Sequence, residues 1–304
     1  MHKNNTYRRR LLLLALCLSG VAMSVADDTL HVRYWGGIPG RVDYELEVLR
    51  AALSAGGDKP FEIVLISESL GSLRGRQEVV RAEVVNAYAS GYRVDDLLES
   101  GQLLAIKQPL LQGLLGYRLL IARAAELARF EQVTELADLR RFTVGQGTAW
   151  YDNDIYRYNG IEVNDNGRFP LLPGMLAHGR FDALALGIME AEPVLRSSEY
   201  GSQLAIVPDL LLYYPHPLVF HVSAKAPELA DRLGRGMQII RDNGTLDALF
   251  QQYFGEIIAR LQSGSARLIV LDHPHKNATL GLSAPAFVPV QSPNPAGADA
   301  SASH

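Results

Sequence analysis

The chain has 304 residues, 48% hydrophobic and 20% charged, which excludes a disordered or fibrous polypeptide and leaves room for one large or two ordinary domains. Its 29 basic and 33 acidic residues give a formal net charge of −4 and are spread along the sequence. That balance excludes the concentrated basic face a nucleic-acid partner requires.

The N-terminus reads MHKNNTYRRR, then the apolar run LLLLALCLSGVAM, then the small residues Ser24, Val25 and Ala26. Basic, apolar and small, in that order, is the pattern of a secretory signal peptide over 1–26, cleaved after Ala26. The run is short of the roughly 20 residues a membrane-spanning helix needs. Cleavage removes Lys3, Arg8, Arg9 and Arg10, leaving a net charge of about −8. The single cysteine, Cys17, leaves with the leader, so disulfides, thiolate metal sites and thiol nucleophiles are excluded from the mature chain. The expected location is the periplasm.

From Leu30 the pattern alternates. LHVRYWG reads as a strand, 43–55 as a helix and FEIVLISE as a second strand; 72–82 reads as a helix and VVNAYAS as a third strand. QLLAIKQPLLQGLLGYRLLIARA holds two extended apolar segments joined through Gly113 and Gly116. A second unit follows: ELADLR as a short helix, FTVGQG as a strand, 149–159 as a helix, GIEV as a strand, 171–178 as a helix, and FDALALG and QLAIVP as strands. YYPHPLVFHVSA is extended, and 227–254 is helical with a break at Asp242-Asn243-Gly244-Thr245. ARLIVLDHP is strand-like, and the tail from about 283 lacks the apolar pattern to pack. Alternating strands and helices predict α/β architecture with largely parallel sheets. Leu119–Ile121 and Leu218–Val222 bracket the second unit, so the expectation is two lobes joined by two hinge strands around a cleft. The expected boundaries are 27–123 for the first lobe, 124–213 for the second, 214–262 for the return, and 263–304 for a C-terminal extension.

These stretches carry a resemblance. QPLLQGLLGYRLLIAR, LADLRRFTVGQGTAW, MLAHGRFDALALG and HPLVFHVSAKAPELADRLGRGMQIIRDNGTLDALFQQYFG are similar to linked segments of the periplasmic solute-binding proteins of family 3, the amino-acid receptors. The similarity runs from about Leu30 to Gly255. It implies a two-lobed type II fold, a small solute in the cleft, no cofactor, no chemistry, a monomer, and an inner-membrane ABC permease or a membrane sensor as partner. The chain departs from the family where a first-lobe arginine pairs with the ligand carboxylate: YRVDDLLESGQLLAIKQPLL has none at that distance, Arg93 lying too far upstream. In this the sequence also resembles a branch whose ligands are mostly unassigned.

In such a fold the ligand sits where strand ends of both lobes face the cleft. Second-lobe candidates are Gln146, Gly147, Thr148, Ala149 and Trp150, a glycine turn whose backbone N–H groups and Thr148 hydroxyl would clamp an anion at a helix start. Asp152 could accept from a ligand amine. First-lobe candidates are Tyr34, Trp35, Ser67, Glu68, Ser90 and Tyr92. Glu190, just past a strand, is the acidic residue the resemblance implies for a ligand amine. GQGTAW is not a nucleotide loop, since no lysine follows and the third glycine is missing. The histidines make no convergent metal set: His216 and His221 would point to opposite faces of a strand, and His273 and His275 lie in the extension. Two alternatives stand beside solute capture. One is an interaction module without a small ligand; the other is an enzyme on the same scaffold, with Glu68 and Glu190 as its titratable pair.

Overall fold

The structure, a computed structural model, describes residues 28–68 and 70–287. The expected signal peptide and the tail beyond 287 lie outside these residues. In chain order the first elements are β1 (Leu30–Trp35), α1 (Val42–Ala55), β2 (Phe61–Ile66), α2 (Ser72–Arg81), β3 (Ala87–Gly91), α3 (Asp96–Glu99) and β4 (Leu103–Ile106). Then come β5 (Tyr117–Arg123), α4 (Leu136–Leu139), β6 (Thr143–Gly147), α5 (Asp152–Tyr158), β7 (Glu162–Gly167), α6 (Leu172–Ala177), β8 (Ala183–Gly187), α7 (Ala191–Ser197) and β9 (Leu204–Tyr213). The chain ends with β10 (Leu218–Ser223), α8 (Pro227–Asp242), α9 (Thr245–Ser263) and β11 (Arg267–Val270).

Two sheets result, in the orders β2-β1-β3-β10-β4 and β11-β9-β5-β8-β6-β7. Strands separated by helices pair in parallel, as β1 does with β2 and β3. The strands next to the crossings run the other way: β10 is antiparallel to β3 and β4, and β5 to β8 and β9. β8 (ALALG) is buried at every residue, which explains its unbroken run of small and apolar side chains. β1 alternates, burying Leu30, Val32 and Tyr34 on one face.

The hinge differs from the expectation. Leu119–Ile121 lies inside β5 in the second sheet, and Leu218–Val222 inside β10 in the first. The chain crosses instead through residues 107–116 and 214–217, which touch where the Tyr214 N–H donates to the Gly116 carbonyl (3.3 Å). The stretch 117–123, expected in the first lobe, therefore pairs within the second. An apolar run marks a buried strand without saying which sheet owns it.

The C-terminal extension crosses as well. β11 pairs in parallel with β9 in the second sheet. Residues 284–287, expected to be disordered, are packed: the Ala284 carbonyl accepts from the Tyr213 hydroxyl (2.9 Å), and the Phe287 N–H donates to the Tyr117 hydroxyl (2.8 Å). The Phe287 ring sits 5.9 Å from those of Tyr117 and Phe250.

Below the first sheet, α1 and α8 cross in backbone contact at Gly236, where a Cβ would lie 1.8 Å from the Ala52 carbonyl oxygen. Gly236→Ala must separate the helices. The expected cost is about 1–3 kcal/mol of stability, read as a lower urea midpoint at unchanged m-value.

Candidate functional site

A cleft of about 880 Å³ opens between the sheets and takes its walls from both. On the first-lobe side stand Trp35 and Tyr88, their rings 5.6 Å apart, with the Trp35 indole N–H donating to the Glu68 carbonyl (3.2 Å). On the second-lobe side stand Trp150 and Phe169, 5.8 Å apart. The first residues of α2 face the opening.

The floor is a chain of buried charges that joins the lobes. Arg41 heads α1 and bonds Glu45 of the same helix, while its Nε reaches Glu190 of the other lobe at 2.8 Å. Glu190 also accepts from the Gly187 N–H (2.9 Å) and lies 3.8 Å from Arg118. Arg118, on β5, holds Asp152 at 2.6 Å and lies over the Tyr214 ring at 5.1 Å. Burial works against the Asp152 carboxylate, but Arg118 and the Tyr214 hydroxyl outweigh it and bring it down to about 2. Burial pushes His216 down to about 3, where it is neutral, although Asp152 pulls the other way. The loop that delivers Arg41 touches the second lobe through Gly40, which has φ +88° and sits where a Cβ would lie 2.0 Å from the Met189 carbonyl oxygen.

A second charge cluster lines the first-lobe wall. Asp95 Oδ2 accepts from both Arg76 (2.5 Å) and Arg93 (2.7 Å), while its Oδ1 caps α3. Burial, with Arg76 beside it, holds His221 down to about 3; it stacks on Tyr88 at 4.8 Å.

Of the residues singled out in the sequence, Trp35, Ser67, Glu68, Ser90, Thr148, Ala149, Trp150 and Glu190 line the cleft. Four do not. Tyr34 is buried on the opposite face of β1 and donates its hydroxyl to Glu45 (2.6 Å). Tyr92 is buried against Val219 and Ala278. Gln146 is buried and donates to the Ala185 carbonyl (2.8 Å). Gly147 lies under the Trp150 ring. The expected anion clamp is also altered: the Thr148 N–H donates to Gly167 (2.9 Å) and its hydroxyl to Asp165 (2.7 Å), because the turn is fastened to the end of β7. Asp152 and Glu190, expected to meet a ligand amine, are held by Arg118 and Arg41 instead. For the same reason Glu190 is not free to act with the exposed Glu68 as an acid–base pair.

Sequence reasoning missed Arg41 and Arg118. Tyr151, which with Trp150 could be read as a wall of the site, does line the cleft, its ring 6.0 Å from His216, 5.7 Å from His273 and 6.0 Å from His275. His216 lies in the crossing, not on a strand, and lines the cleft with His221. Among the described residues no group of three or more His, Cys, Asp or Glu is placed to hold a metal.

No family model and no curated protein matches the sequence. Solved structures do match in shape. An ancestral arginine-binding protein bound to arginine aligns with TM-score 0.52 and 15% identity over 75% of this chain and 99% of that one. A periplasmic His/Glu/Gln/Arg/opine family-binding protein from Silicibacter pomeroyi, in complex with lysine, gives 0.54 and 13% over 75% and 97%. The periplasmic domain of BvgS from B. pertussis gives 0.54 and 17% over 74% of this chain and 43% of that one. The fold is the two-lobed type II periplasmic binding fold. At these identities the likeness establishes that fold alone. It also explains why two sheets with oppositely running border strands face each other across a cleft. Among the described residues, no helix of this type II fold is long and apolar enough to cross a membrane.

Proposed function

We propose that the chain is a periplasmic solute-binding protein that captures a small carboxylate-bearing solute of amino-acid size between its lobes. The observation that carries this reading is the cleft itself, about 880 Å³ with a tryptophan on each wall, Trp35 from one lobe and Trp150 from the other. A solute touching both walls binds the closed state better than the open one, and that difference in affinity drives closure. Ala149, a non-glycine residue at φ 58° on the cleft wall, supports a functional role for the turn, since backbone strain of this kind persists where the surroundings impose it. The similar solved structures, two of them holding arginine or lysine, support the size class. An ABC permease or a membrane sensor that reads the closed form is the partner.

A thermal-shift screen of amino acids, carboxylates and polyamines tests it. A solute at 100 times its Kd adds about 2.7 kcal/mol and raises the melting temperature. Trp150→Ala should weaken that solute by roughly tenfold or more while the unliganded protein stays folded. Global unfolding of the variant would instead assign the indole to the core.

The cross-lobe Arg41–Glu190 pair favours a second reading, in which the protein holds itself shut and serves as an interaction module. No shift with any solute, together with cross-linking to a membrane protein, would select it.

A further inference from the structure

The charges of the cleft divide unevenly once their partners are counted. Three carboxylates reach the interior, and each is in contact with a guanidinium of the chain: Glu45 and Glu190 share Arg41, and Asp152 holds Arg118. The other two that line the cleft, Glu68 and Glu199, are exposed to water. Arg93, half-buried in the first-lobe wall, gives only its Nε to Asp95, and its two Nη nitrogens have no partner among the described residues. Its charge acts across the gap on the Tyr151 hydroxyl, which burial keeps protonated and which finds no partner among the described residues. Arg118 Nε and His216 Nδ1, on two side chains more than nine-tenths buried, are likewise unpartnered and line the same space. The N-terminus of α2, with no acidic residue in its first turn, adds a positive end at the mouth.

An ammonium group entering this interior meets no free carboxylate. At Glu190 it meets Arg41, and displacing that guanidinium would leave it buried and unpaired. A carboxylate entering beside Arg93 meets charged and neutral donors that lack acceptors. We propose that Arg41 makes the cleft selective for small organic anions that carry no ammonium group, with Arg93 and the Tyr151 hydroxyl as the anion's contacts. This rests on reading the cleft as a solute site, and it makes Arg41 the residue that sets specificity from outside the anion's own contacts.

Matched pairs of acids test it by calorimetric titration of the full chain. Succinate and glutarate carry the anionic groups alone; aspartate and glutamate add one ammonium to the same skeletons. The wild-type protein should bind the first of each pair on the order of 100-fold more tightly. Arg41→Met should shrink that ratio to within about tenfold, because Glu190 becomes free to hold the ammonium. Arg93→Gln should weaken the plain diacid by about tenfold or more. Equal or tighter wild-type binding of the amino member overturns the proposal while solute capture stands, and so does tighter binding of a sugar or a polyamine. Binding of no solute of any class removes both. The wild-type comparison decides the matter even where Arg41→Met fails to fold.

Discussion

Arg118→Met should lower stability by about 3–5 kcal/mol, the largest single-residue effect expected in this protein. The change keeps an apolar stem on β5 but strips the guanidinium from the buried Asp152 and removes a second positive charge 3.8 Å from the buried Glu190. Glu190 keeps Arg41, but Asp152 is left with the Tyr214 hydroxyl and His216, which is neutral. Urea unfolding at neutral pH reads the loss. The double variant Arg118→Met/Asp152→Asn should recover part of it, with a coupling of about 1–3 kcal/mol. If single and double variants lose equal amounts, the two groups are not partners and the buried charge chain is misassigned.

Acid should unfold the protein through its histidines. His216 and His221 titrate at about 3 in the folded chain against an ordinary value near 6.5. A depressed folded value means that the unfolded chain binds more protons between those limits. The stabilisation is therefore complete above pH 6.5 and drains away as pH falls toward 3. At pH 5 each histidine has given up about 2 kcal/mol, together about 4 kcal/mol. Asp152, lowered from 3.8 to about 2, adds its own loss only below pH 4. His221→Phe keeps the stack on Tyr88 and removes the titration. Its unfolding free energy, from urea titrations, should fall less between pH 7 and 5 than that of the wild type, by about 2 kcal/mol. Equal slopes in the two proteins would mean that His221 is protonated or solvated in the native state.

Much of this fold was legible in the sequence because element type follows local periodicity. The α1 stretch repeats its apolar residues at helical spacing, and FDALALG admits little but a central strand. The hinge was misplaced because Leu119–Ile121 and Leu218–Val222 are equally apolar, and sheet membership depends on partners far along the chain. At the site, Tyr34 and Trp35 are neighbours on one strand and cannot both face the cleft; alternation sends Tyr34 to the core. The signal for Arg118 was present in YRLLIAR, an arginine inside an apolar strand, which demands a buried acid. Its partners Asp152 and Glu190 lie 34 and 72 positions onward, beyond the reach of any spacing rule. Arg41 gave no local sign at all, since only the approach of the Gly40 loop to Met189 brings it to Glu190.

The extension after α9 gives this molecule a third strap. β11 is sewn to the second sheet, while the segment behind it is pinned at Ala284 and Phe287 to tyrosines flanking the crossing. Two straps leave a jaw free to swivel as well as gape, whereas three resist torsion and favour a single opening stroke. Any such stroke must carry or shear the Phe287 ring, which touches Tyr117 on β5 and Phe250 on α9.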